Sequence, residues 1–185
     1  MNGNVKRLTL SALFLALGLI LPLFTGQIQQ VGNMLLPMHI PVFLCGLICG
    51  WQWGGAVGFV LPLLRSVLFG MPPMYPVAAA MAFELAVYGI AAGFLYERAQ
   101  RRGTASLYRA MLIAMVLGRI VWGAAEVILL GLQGNRFSWE AFLSGALLNA
   151  VPGIVLQLIL IPAVMTALER TGLIPLAPKE RGGLQ

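Results

Sequence analysis

The chain has very few of the side chains that most enzymes use for catalysis. Among its 185 residues there is no aspartate, one histidine (His39) and six acidic residues, all of them glutamate. A Ser-His-Asp triad and an H-E-x-x-H zinc motif are therefore excluded. A His/Cys metal cluster would have only one histidine and two cysteines to draw on. Neither lysine follows a glycine, so the chain has no GxxxxGK[ST] loop for ATP hydrolysis. An enzyme with its active site inside the apolar part of this chain would have to use Glu84 and Glu126 alone. We therefore expect that the protein is not an enzyme and that it binds no cofactor or metal.

Charged residues and cysteine are also scarce. The chain is 59% hydrophobic and 10% charged, whereas soluble domains carry about 25% charged residues. The two cysteines, Cys45 and Cys49, are four apart in one apolar segment, which places their Cβ atoms about 5–6 Å apart on a helix. A disulfide requires about 3.5–4.5 Å. We interpret both as small core residues in a membrane protein.

Six apolar segments are present, and most have the roughly 17–25 residues needed to cross a bilayer. Residues 1–185 are therefore expected to form a single all-α domain, a six-helix transmembrane bundle. The second segment is short and rich in glycine, so it must tilt or pack inside the bundle. The six predicted helices are Leu8–Phe24, Ile40–Gly50, Trp53–Phe69, Val77–Tyr96, Leu107–Gly131 and Ala141–Leu168.

The basic residues outside the spans indicate the orientation. Nine lie at the termini or around the connection between spans four and five, and one lies on the other side. By the positive-inside rule, both termini are cytoplasmic. The nine are Lys6, Arg7, Arg98, Arg101, Arg102, Arg109, Arg170, Lys179 and Arg181, and the exception is Arg136. The basic residues are thus explained by a lipid bilayer, and no nucleic acid partner is expected.

Four ionisable residues lie within the apolar spans: Arg65, Glu84, Arg119 and Glu126. A charge at the bilayer centre costs roughly 2.5–3.5 kcal/mol on insertion scales, so it usually marks a ligand site or an internal pair. All except Arg119, which is near mid-membrane, are expected in the outer half. Two hypotheses remain open: the charges form structural salt bridges, or they converge on a polar ligand in a pocket open to the outside.

Aromatic and polar residues extend this candidate pocket. Tyr88 and Trp122 each lie one helical turn from a buried acid, an arrangement that suits a flat, partly aromatic solute. Pro37 and Pro41 flank His39 and favour an extended entry into span two. The candidate substrate-binding residues are His39, Arg65, Tyr75, Glu84, Tyr88, Trp122, Glu126 and Asn149.

Small residues four apart recur along the spans, a pattern that lets helices approach closely in membranes. Most such pairs are expected to pack within the bundle, but Ala12 and Ala16 on the first helix could equally contact a partner protein. The pairs are Ala12 and Ala16, Gly46 and Gly50, Gly54 and Gly58, and Gly89 and Gly93.

These features resemble the S components of energy-coupling factor (ECF) vitamin transporters. The resemblance covers roughly residues 8–170 and rests on six spans, the Ala12-x-x-x-Ala16 face and three runs: LLPMHIPV at 35–42, GMPP at 70–73 and FELA at 83–86. It implies a subunit of a prokaryotic cell membrane that captures a vitamin or precursor from outside. It also implies that Ala12 and Ala16 dock a transmembrane coupling subunit, which joins two ATPase subunits.

The resemblance leaves the substrate open. Candidates are a cobalamin precursor such as α-ribazole or dimethylbenzimidazole, pantothenate, or a pyridoxine-type vitamin. Two acids favour a ligand with NH or OH donors, whereas Arg65 would suit a carboxylate or phosphate. The alternatives to a capture subunit are a stand-alone secondary transporter of a small polar solute and a structural membrane protein. A secondary transporter commonly has an internal repeat and needs an ion path, and neither is evident.

Overall fold

The computed structural model describes residues 3–25, 35–100, 103–132 and 150–171, and within them it contains helices and turns but no strand. The predicted all-α, six-helix architecture is confirmed. The six helices are α1 (Gly3–Ile20), α2 (His39–Cys49), α3 (Trp51–Phe69), α4 (Ala79–Glu97), α5 (Thr104–Leu132) and α6 (Val151–Arg170). A 3-10 turn, Leu21–Thr25, follows α1, and a kinked turn, Met74–Ala78, in which Tyr75 is extended (φ −127°, ψ 134°), precedes α4.

Several predictions fall on residues outside the described ranges. They concern Asn149, Arg136, Arg101, Arg102, Lys179, Arg181 and the first part of the sixth predicted span, 141–149.

Five of the described helices are long and apolar enough to cross a membrane, and α2 is a shorter apolar helix. Every residue of α2 except Ile48 is buried. This burial comes from its neighbours, because α2 packs against α1, α3, α4 and α6. The short second segment is thus a core helix surrounded by longer ones.

Two glycines in left-handed backbone conformations set the ends of α2 and α3. Gly50 (φ +105°) separates the two helices, and Gly70 (φ +70°) ends α3, where its N–H donates to the carbonyl of Ser66 at 2.9 Å. Only glycine adopts such φ values without a steric penalty. These two residues therefore allow three consecutive elements to fold back on one another.

The expected extended entry into α2 is wrong. Residues 37–38 form a turn in which the N–H of His39 donates to the carbonyl of Leu36 at 3.1 Å. Pro41 then lies in the first turn of α2, where a helix needs no N–H donor. His39 consequently begins the helix, and its side chain is 1% exposed.

The glycines of α2, α3 and α4 form a tight helix–helix contact. A methyl group added to Gly46 would overlap the carbonyl oxygen of Gly89, and one added to Gly89 would overlap the backbone of Gly54. Gly58 meets the backbone of Leu85, and Gly93 meets the Gly46 carbonyl oxygen, in the same way. Because backbone lies against backbone, no side-chain rotation can relieve such an overlap. These glycines pack within the bundle, as expected for most of the small-residue pairs.

Gly89→Ala is expected to destabilise the bundle by about 1–3 kcal/mol, the usual cost of overpacking a close-packed interior. Gly131→Ala on α5 is the matched control, since a methyl group there meets no atom within 4 Å. Thermal unfolding in detergent measures both. Equal unfolding temperatures for Gly89→Ala and the unsubstituted chain would show that α3 and α4 are not in backbone contact.

Successive helices run in opposite directions, so the start of one helix lies beside the end of the next. Trp51 at the start of α3 contacts Phe94 near the end of α4, with ring centroids 6.3 Å apart. Arg7 on α1 is close enough to Cys49 for an electrostatic interaction. Thr104 and Arg170 line one groove between α5 and α6. We call this the basic end, because it holds the start of α1 and the end of α6 together with the described arginines at 7, 98 and 170.

Candidate functional site

A buried carboxylate on α4 joins three helices away from the basic end. Glu84 is 1% exposed, and its Oε1 lies 3.0 Å from Nη1 of Arg119 on α5. The Tyr88 hydroxyl donates to the same oxygen at 3.0 Å, and Nε2 of His39 on α2 lies 3.8 Å from it. We call these four residues the Glu84 cluster. A carboxylate with several donors can remain ionised in an apolar interior.

Packing fixes the tyrosine of this cluster. The Tyr88 ring stacks on Phe43 with centroids 5.1 Å apart and an interplanar angle of 19°, and it lies 5.2 Å from the His39 ring. On α5, Gly118 provides the space for this ring, since a methyl group at Gly118 would overlap it. The hydroxyl is therefore held toward Glu84 by contacts with α2 and α5.

Several polar atoms in and near this cluster are buried without a hydrogen bond within the described part of the chain. They are both ring nitrogens of His39, Nε and Nη2 of Arg119, and Nε2 of Gln157 on α6. Buried polar groups almost always have a partner. Since α6 packs against α2 and α5, such atoms occur on three adjoining helices. A group of this kind is a candidate site for a polar ligand.

Two further predicted residues lie on α5 beside the cluster. Cζ of Arg119 is 5.6 Å from the centre of the Trp122 ring, a cation–π distance. Glu126 is 9% exposed and lies near enough to Glu84 for the two carboxylates to repel each other. Five of the predicted site residues, namely His39, Glu84, Tyr88, Trp122 and Glu126, are thus associated through Glu84 and Arg119.

Arg65 and Tyr75 have other contacts. Nη1 of Arg65 donates to the Leu19 carbonyl oxygen at 2.8 Å, which ties α3 to the end of α1, and its Cζ lies 5.2 Å from the Phe69 ring centre. The Tyr75 hydroxyl donates to the carbonyl oxygen of Leu129 near the end of α5. No contact with the Glu84 cluster is seen for either residue within the described ranges. Their role in binding substrate stays a prediction.

The structure identifies the acid that pairs with Arg119. Its position near mid-membrane predicts a structural partner of a neighbouring acid, on the same helix face as Glu126. The observed partner is Glu84 of the next helix. The sequence signal was the adjacent Gly118, which marks a close helix contact, but its counterpart Tyr88 could be identified only from the folded bundle.

The small-residue face of α1 points away from the bundle. Ser11, Phe14 and Gly18 face inward, and Gly18 lies against Leu61 of α3. Ala12 and Ala16 are exposed. Large apolar side chains beside them, including Leu13 and Leu17, are exposed as well.

A comparison with known protein families identifies the family of this chain. The family model described as "ECF transporter, substrate-specific component" matches residues 6–165. The chain belongs to this family. No curated protein and no solved structure matches it significantly.

Family membership establishes the general role. This S component is a multi-pass membrane protein and the substrate-specific subunit of an ECF transporter. It is a transport subunit without catalytic activity of its own. It works with a small-molecule substrate within a membrane-embedded transporter complex.

Proposed function

We propose that this S component captures a vitamin or vitamin precursor with high affinity from outside a prokaryotic cell. The observation that carries the proposal is the Glu84 cluster, in which a buried ion pair is accompanied by buried polar atoms that have no partner among the described residues. Glu126 and Trp122 extend the site along α5. Asn149, Tyr75 and Arg65 complete the proposed set of substrate ligands.

The distribution of charge supports an outward-facing site. Arg7, Arg98 and Arg170 lie at the basic end, whereas His39 begins α2 at the opposite end. Positively charged residues accumulate on the cytoplasmic side of membrane proteins. The basic end is therefore proposed to face the cytoplasm, with both termini, and the Glu84 cluster to open toward the exterior.

The energy for transport is proposed to come from separate ATPase subunits. The chain has no phosphate-binding loop of the GxxxxGK[ST] type. A transmembrane coupling subunit would dock on the exposed Ala12 and Ala16, and two ATPase subunits would bind that subunit. Small exposed residues allow a partner helix to approach the backbone of α1 closely.

The substrate candidates remain a cobalamin precursor such as α-ribazole, pantothenate, and a pyridoxine-type vitamin. Each carries hydroxyl or ring groups able to bond with the buried polar atoms of the site. Tyr88 and Trp122 provide aromatic surface beside these atoms.

Reconstitution into liposomes tests the proposed division of labour. We expect vitamin uptake only when the S component is combined with a coupling subunit and both ATPases, and only when ATP is supplied to the ATPase side. Hydrolysis-deficient ATPases provide the control. Uptake by the S component alone, driven by an ion gradient, would instead identify a secondary transporter and overturn the proposal.

A further inference from the structure

Two donors of the Glu84 cluster have no partner among the described residues, and they indicate the chemistry of the substrate. An arginine guanidinium has five N–H donors and no acceptor. In Arg119, Nη1 lies against Glu84, whereas Nε and Nη2 are buried without a hydrogen bond in the described part of the molecule. The side chain of Arg119 as a whole is 16% exposed. The partner of these donors must supply acceptor atoms.

We propose that the substrate carries a carboxylate, which Arg119 binds through Nε and Nη2; this inference rests on the function proposed above. These two nitrogens share one edge of the planar guanidinium. Their N–H groups form a fork that matches the two oxygens of a carboxylate. Binding of a carboxylate at this edge leaves the Nη1 contact with Glu84 in place.

Two contacts hold the Arg119 guanidinium in place. Glu84 holds Nη1 at 3.0 Å, and the Trp122 ring lies 5.6 Å from Cζ. Glu84 is itself held by the Tyr88 hydroxyl, whose ring is stacked on Phe43. A preorganised donor pair loses little conformational entropy on binding. Nε2 of His39 faces the same Glu84 oxygen at 3.8 Å.

Glu126 determines which way the substrate points. It lies seven residues beyond Arg119 on α5, or about 10 Å along the helix axis. A carboxylate near Glu126 would be repelled, whereas a hydroxyl or N–H group there would be bonded. The expected substrate is therefore an extended acid with its carboxylate at Arg119 and a hydrogen-bond donor near Glu126. A cationic substrate would satisfy Glu126 but leave the two arginine donors unpaired.

Matched pairs of vitamins and neutral analogues test this directly. The purified full-length chain is titrated by calorimetry with pantothenate and panthenol, nicotinate and nicotinamide, and biotin and biotinamide, alongside neutral pyridoxine, neutral α-ribazole and cationic thiamine. We expect one carboxylate to bind, and its neutral analogue to bind about 10- to 100-fold more weakly, the range for one charge-assisted hydrogen-bonding contact.

The outcomes separate this inference from the proposed function. Tight binding of pyridoxine, α-ribazole or thiamine overturns the carboxylate but supports the capture subunit. Equal affinity for a carboxylate vitamin and its neutral analogue would likewise overturn the carboxylate and support the capture subunit. Binding of no vitamin at all overturns both.

A variant pair assigns the effect to the arginine edge. Arg119→Lys keeps a positive charge beside Glu84 but lacks the two-nitrogen fork. We expect its Kd for the carboxylate vitamin to rise about 10- to 100-fold and its preference over the neutral analogue to shrink. Arg109→Lys, the same change at an exposed position of α5, is expected to change neither. An unchanged preference in Arg119→Lys would overturn the assignment, and if this variant does not fold, the titration of the unsubstituted chain still decides.

Discussion

Ala12→Trp and Ala16→Trp are each expected to abolish ATP-dependent uptake by the reconstituted transporter while leaving vitamin binding unchanged. Both alanines are exposed on α1, whose inward contacts are made by other residues such as Ser11 and Gly18. An indole on this face would hold a partner helix away from the α1 backbone. It would not reach the Glu84 cluster, whose residues lie on α2, α4 and α5.

The measurement is uptake in proteoliposomes, with vitamin binding by the isolated variants measured in parallel. Ala163→Trp is the control, because it makes the same change at an exposed alanine of α6. Uptake that survives both α1 substitutions would show that the coupling subunit docks elsewhere. Loss of vitamin binding in either variant would contradict the separation of docking face from substrate site.

Replacing Glu84 is expected to remove vitamin binding and to destabilise the bundle. Glu84→Ala leaves the Arg119 guanidinium without its acceptor in a buried environment. Removing one partner of a buried ion pair typically costs about 3–5 kcal/mol. Calorimetry measures the binding, and thermal unfolding in detergent measures the stability. Glu169→Gln, at an exposed position near the end of α6, is the control and should change neither quantity.

A double substitution separates the structural role of the pair from its role in binding. Glu84→Gln with Arg119→Gln removes both charges while keeping side chains that can hydrogen bond to each other. We expect this variant to recover most of the lost stability, because the uncompensated charge is gone. Vitamin binding should stay absent. Recovery of binding together with stability would mean that the pair is purely structural.

The positions of the helices could be predicted from the sequence because apolar length dictates them. Each described helix overlaps a predicted span, and the short, glycine-rich second segment is a fully packed core helix. The segment before α2 differs from the prediction. Prolines at 37 and 41 favour an extended chain in isolation, yet residues 37–38 form a turn and Pro41 occupies the first helical turn.

The candidate site could be predicted only in part. Residues one turn apart on a helix share a face, so the pairing of Tyr88 with Glu84 follows from spacing alone. The partner of Arg119 depends on how α4 and α5 are rotated against each other, which spacing within one helix does not specify. The same holds for Arg65, whose donor reaches Leu19 of α1. The partner of each buried arginine thus depends on how the helices pack against one another.

Titration of the purified, folded S component, alone, with a panel of vitamins and precursors shows whether this subunit captures a vitamin by itself. We predict that one compound binds with a stoichiometry of one and a Kd below about 1 μM, equivalent to about −8 kcal/mol or tighter. A chain that is helical by circular dichroism and binds none of the panel would show that this S component does not capture a vitamin.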